Sequence, residues 1–333
     1  MTHTAQTRFL HVANGTCTTR IIESAGIPGT LSVWADPLYE GPVPGGLTDA
    51  ELLDLRIRHL AGPTYQAPVD PLNDLRRWRA TIERHESYDE LIVWFEHDLF
   101  DQLNLVQLLA WIRDRLPVAK VVSLICIGSF VGHPRFKGLG ELTADELASL
   151  LQTRQLVTEA QYSLAKLAWQ AFREATPEAL DHLRQTDTSP LPFLAAALRR
   201  FLEEYPWATD GLSRTERRLL ELAAAGTVDL SAAFPRMHDG EDVYYVTDSS
   251  IAALAETLSR TSPTLLTLAR GPIAGDDLLQ GSVTLTQTGR AVLAGERDRI
   301  TTCGIDRWLG GVHLQSETDL WRWDDKRQRI TRR

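Results

Sequence analysis

Cysteine is scarce: the 333 residues hold only Cys17, Cys126 and Cys303, far apart and odd in number. That excludes a disulfide framework, and no CxxC or Cys/His pair has the spacing of a structural zinc site. No apolar run approaches membrane-spanning length, and the N-terminus lacks a basic-then-apolar leader. A reducing cytoplasm is the expected location. Basic residues are also in deficit, 35 Lys and Arg against 44 Asp and Glu, a formal net charge of −9. That balance disfavours a broad nonspecific nucleic-acid surface. Neither a GxGxxG nor a Walker loop occurs, and there is no internal repeat or low-complexity tract.

What is present centres on Glu90–Gln102. Leu91 to Phe95 is an unbroken apolar run, rich in β-branched and aromatic residues, and reads as a strand buried on both faces. Glu96, His97 and Asp98 follow at once, and a helical pattern then runs to Leu116. Further strands are expected at Phe9–Ala13, Thr30–Trp34 and Lys120–Ile127, with helices between them. Thr48/Glu51, Thr143/Glu146 and Ser213/Glu216 have capping-box spacing. The alternation predicts an α/β protein with an open, mostly parallel Rossmann-like sheet. Three parts are expected: an α/β ligand-binding domain over 1–141, a helical segment over 142–206 and a winged-helix-like domain over 207–333.

In a parallel sheet the four strand ends share one edge and bring their polar residues into one crevice. The first end supplies His11, Asn14, Gly15, Thr16 and Cys17; the second supplies Asp36 and Glu40. The third supplies Glu96, His97, Asp98, Asp101 and Gln102; the fourth supplies Ser129, His133 and Lys137. Asn14-Gly15-Thr16 before a helix can present backbone N–H groups to a phosphate. His97 between two carboxylates is expected to favour its charged form and to serve as acid or base, with Glu96, Asp98 and Asp36 orienting it. The same carboxylates suit Mg²⁺ or Mn²⁺ better than zinc.

Each residue also has a plainer role. Asp98 can cap the following helix, with Asp101 favoured in its first turn. Asn14-Gly15 and Asp36-Pro37 can be turns, His11 a satisfied core histidine, Cys17 a small apolar filler, and His133 a solvated loop residue.

Towards the C-terminus, three helices followed by a hairpin (Thr264–Ala269 and Ser282–Thr286) give winged-helix order. The helix expected over Asp248–Ser259 carries Asp248 and Glu256, with Arg260 just beyond it, and residues 206–333 total about −2. A DNA-reading module usually carries a basic footprint, so a packing or homodimer-forming role is preferred. The basic tail Lys326–Arg333 is the feature that favours nucleic acid.

Leu10–Gly15, Trp34–Val43, Trp94–Gln102, Gly138–Leu142, Gly211–Glu216 and Trp308–Gly311 together resemble a bacterial family catalogued as domain of unknown function 1835. The resemblance implies an α/β N-terminal domain and a helical C-terminal half, and it brings no activity with it. In that pattern an Asp often follows the first Asn-Gly, where this chain has Thr16. The expectation is a small polar ligand, phosphorylated or nucleotide-like, and an enzyme using His97. The alternatives are a ligand-responsive regulator with a DNA-binding output and a non-catalytic scaffold.

Overall fold

The computed structural model describes residues 7–62, 71–244, 246–270, 278–315 and 320–332. The proline-rich loop expected between Gly62 and Pro71 lies, apart from its ends, outside the described residues, as does Arg333 of the basic tail.

The chain opens with β1 (Phe9–Ala13), α1 (Thr16–Ser24), β2 (Thr30–Val33) and a two-residue β3 (Gly41–Pro42). Two helices follow, α2 (Asp49–Leu60) and α3 (Pro71–Glu83), then β4 (Glu90–Glu96), α4 (Leu99–Arg115) and β5 (Val121–Ile127). The Thr48 side chain and the Glu51 carboxylate close the expected capping box at the start of α2. The next helix, α5 (Ala144–Leu150), opens with the same device from Thr143 and Glu146.

The main sheet has the order β2-β1-β4-β5 and is parallel throughout those four strands. A short fifth strand, β6 (Gln155–Leu156), adds antiparallel to β5 at the edge. The helical segment expected over 142–206 thus contains a strand that the sequence does not mark, because two residues are too few to show a period of two. The order reverses between β1 and β4, so the rim beyond Ala13 and Glu96 is a topological switch point, where ligands of open α/β sheets bind.

Leu91 to Phe95 are fully buried, each side chain contributing about 1.5–3 kcal/mol relative to exposure. Their alternation divides them between two cores. Leu91, Val93 and Phe95 face the larger one, while Ile92 and Trp94 face a smaller one with Ile22, Leu139 and Leu147. The long helix α4 is buried on nearly every side from Leu99 to Ile112.

After β6 come α6 (Glu159–Phe172), α7 (Glu178–Leu183) and α8 (Leu194–Leu202). Then follow α9 (Arg214–Ala224), β7 (Val228–Asp229), α10 (Leu230–Met237), α11 (Asp248–Ser259), β8 (Leu266–Ala269) and β9 (Ser282–Leu285). The Ser213/Glu216 capping box starts α9, and β7, β9 and β8 form one antiparallel sheet.

The chain finishes with α12 (Gln287–Leu293), α13 (Arg299–Cys303), β10 (Arg307–Gly310), β11 (Val312–Leu314), β12 (Trp321–Asp324) and β13 (Arg329–Arg332). The last two pair as a hairpin, so half of the expected basic tail, Arg329 to Arg332, is a strand. β10 runs parallel to β3, joining Leu309 and Gly310 to Gly41 and Pro42 across most of the sequence. Gly310 sits at φ +61, and a Cβ there would lie 2.4 Å from the Phe172 carbonyl oxygen, so only glycine closes this junction. None of the described helices is long and apolar enough to cross a membrane.

Candidate functional site

The ends of β1, β2 and β4 and the loop after β5 border one crevice of about 530 Å³. Asn14 to Thr18 form one side, with Gly15 extended ahead of α1 and no side chain capping that helix. The first N–H groups of α1 therefore face the space without an intrahelical partner. Ala35 and Pro37 come from the β2 end, and Lys137, Gly138, Gly140 and Glu141 from the loop after β5. Leu60, Leu75, Trp78 and Phe100 make an apolar wall, and Thr247, Asp248 and Ser249 at the start of α11 close the rim.

Glu96 is the carboxylate in the floor. It is 4% exposed, and its Oε1 accepts hydrogen bonds from Asn14 Nδ2 at 2.8 Å and from the Leu139 N–H at 2.5 Å. Its Oε2 accepts none from the described residues. A Cβ on Gly138 would come within 2.2 Å of that atom, so glycine is what lets the loop pass over it. Asn14 is itself oriented by Thr18, whose hydroxyl donates to Asn14 Oδ1 at 2.8 Å, leaving the amide to reach Glu96 and, at 3.2 Å, Asp101 Oδ2.

Behind Glu96 lie two more buried carboxylates. Asp98 caps α4 by accepting from the Asp101 N–H at 2.8 Å, the structural role expected for it. Asp101 accepts from the Glu96 N–H at 2.8 Å, and Gln102 Nε2 donates to the Glu96 carbonyl at 2.5 Å. One oxygen from each of Glu96, Asp98 and Asp101 lies within 4.8 Å of the others, and no described Lys or Arg forms an ion pair with them. Burial, then the charge of Asp98, pushes Glu96 up to about 8. Burial pushes Asp98 up to about 6, and burial with Glu96 and Asp98 holds Asp101 well above the carboxylate range. The cluster can retain protons near neutrality, or exchange them for one hard divalent cation.

Several expected site residues lie elsewhere. Asp36 is buried against Arg56, which donates to both carboxylate oxygens and also to the Glu40 and Pro37 carbonyls. It anchors the turn after β2 and cannot orient His97. His11 is fully buried, accepting from Trp94 Nε1 and bonded to the Pro28 carbonyl. Burial lowers its pKa, as the core-histidine reading requires. Glu40 borders a different cavity, beside Arg307 and Ser250. Cys17 is an exposed thiol on the crevice side of α1, not a buried filler.

His97 also leaves the crevice. Successive residues at a strand end point to opposite sides, so Glu96 enters the first space and His97 a second one, shared with Gly128, Ser129 and His133. The expected charged imidazole is reversed as well: burial lowers the pKa of His97, outweighing a hydrogen bond to the Asp242 backbone and the Asp242 charge. Lys137 borders both spaces. Thr18, Trp78, Gly138 and the α11 N-terminus also belong to the crevice, though not among the residues expected there. Thr18, four residues beyond Asn14, was the one local signal; the others come together only through tertiary packing. No protein-family model matches the chain, and no curated protein matches it.

Proposed function

We propose that the chain is an enzyme that takes a small polar ligand, phosphorylated or nucleotide-like, into the strand-end crevice, with Glu96 in place of His97 as the proton-carrying group. One observation carries this: a carboxyl group that keeps its proton to about 8 sits in the floor of a crevice at the switch point, with one oxygen unengaged by described residues. A group titrating near neutrality can give or take a proton there. Asn14 holds Glu96 in orientation and so acts as a positioning residue. The uncapped α1 N-terminus and Lys137 suit a phosphate, and Trp78 and Phe100 offer a flat apolar wall to a ring.

A second reading of the same floor is a Mg²⁺ or Mn²⁺ site, favoured by the three clustered oxygens. It also addresses the charge of the lining, where Asp74, Glu141 and Asp248 outnumber Lys137: a phosphate ligand entering as its Mg²⁺ complex meets less repulsion.

We read the unit from α9 to β9, whose elements follow the order expected of a winged helix, as a packing module. Ser249 to Ala252, Ala255 and Leu258 of α11 are buried, its N-terminus faces the crevice, and Arg260 is held by Glu256 at 2.5 Å.

Calorimetric titration with AMP, ADP and ATP, each with and without Mg²⁺, tests the reading. Binding is expected to weaken at least tenfold in Trp78→Ala. In Glu96→Gln it should persist while any turnover is lost. If none of the nucleotides binds in either condition, the phosphorylated-ligand reading fails; if Mg²⁺ alone binds and Glu96→Gln abolishes it, the cation reading gains.

A further inference from the structure

The second space, about 640 Å³, lies beside the crevice on the far side of Lys137. We infer that it is a separate anion subsite, taking the phosphate group of a small phosphorylated compound on Arg135, Lys137 and Ser129.

Charge carries the argument. Arg135 and Lys137 border this space, and neither side chain forms an ion pair or hydrogen bond with any described residue. Most other charged side chains here are already matched. The Glu241 carboxylate is taken by Arg200 at 3.0 Å and Arg214 at 2.7 Å, Asp239 lies 3.6 Å from Arg218, and His133 pairs with Glu146 at 3.0 Å. Asp242 remains, bordering the same space without an ion pair among the described residues, its backbone bonded to His97. Two uncommitted cations therefore stand over a polar concavity beyond the C-terminal ends of β4 and β5, where an open α/β sheet places its ligands. Arginine's planar fork suits a phosphate's paired oxygens, and the Ser129 hydroxyl adds a donor.

This goes beyond the crevice reading and stands without it. Where both hold, Lys137 sits between two anion positions, one at the α1 N-terminus and one in the second space. That arrangement fits two phosphorylated ligands held side by side, each in its own space.

Inorganic pyrophosphate titrated into the full chain by calorimetry is the test, with Arg135→Ala, Arg135→Lys and Thr16→Pro compared with the parent. Thr16 is the first residue of α1, a position where proline is accepted and its missing N–H removes one donor from the crevice. Arg135→Ala should weaken binding about tenfold or more, Arg135→Lys should recover part of it, and Thr16→Pro should leave it within about twofold. Absence of pyrophosphate binding to the parent overturns the inference. So does binding that Thr16→Pro weakens and Arg135→Ala does not; that result puts the anion in the crevice and leaves the crevice reading intact.

Discussion

Glu96→Gln should stabilise the folded chain in a pH-dependent way, even as it removes the group proposed for catalysis. Glutamine keeps the shape, and its Oε1 can still accept from Asn14 and Leu139. What it removes is an ionisation that the folded chain resists. Glu96 loses its proton at about 8 when folded against 4.5 ordinarily. Between those values the unfolded chain binds fewer protons than the native one, so parental stability falls as pH rises through that window. At about 1.4 kcal/mol per tenfold, the full loss above pH 8 is roughly 5 kcal/mol, and at pH 5 it is under about 1 kcal/mol. The advantage of the variant should therefore grow by roughly 4 kcal/mol between pH 5 and pH 8.5. Urea denaturation of both proteins at the two pH values measures this directly. A difference that stays constant with pH, or that favours the parent at pH 8.5, would refute the claim that Glu96 holds a proton against burial.

Three further outcomes follow from the packing. Asp36→Asn leaves Arg56 buried and half-matched, so denaturation should show a loss of about 3–5 kcal/mol; a loss below about 1 kcal/mol would mean the pair is solvated. Gly310→Ala places a methyl group against the Phe172 carbonyl at positive φ and should cost about 2 kcal/mol or more, read as a lowered Tm, whereas an unchanged Tm would show that the β3–β10 junction relaxes freely. Because one face of α11 is packed into the fold and its flanking arginine is paired, duplex DNA should give no mobility shift at physiological salt; a shift abolished by Arg260→Ala would restore the regulator reading.

Where the signal is local, the sequence carried it. The capping boxes at Thr48, Thr143 and Ser213 are three-residue patterns, and β4 announces itself as a buried apolar run. β3, β6 and the β10–β13 strands are only two to four residues long, too short for a periodicity to mark them, and β3 and β6 take their partners, β10 and β5, from distant sequence. A crevice does lie at the expected sheet edge, lined by a different set of residues from the one expected. Asp36 looked available because Arg56, twenty residues on, meets it only after α2 packs. Glu96 and His97 looked like one unit because adjacency in sequence hides the alternation that sends them into separate spaces.

The closure of the crevice by Thr247–Ser249 sets an order of events during synthesis. Its floor and one wall exist once β5 has been made, but the α11 rim is translated about 120 residues later. At ribosomal rates of about 5–20 residues per second, that interval is roughly 6–24 s. Throughout it, the nascent sheet presents the apolar wall of Leu75, Trp78 and Phe100 before the Thr247–Ser249 edge of the crevice has been made.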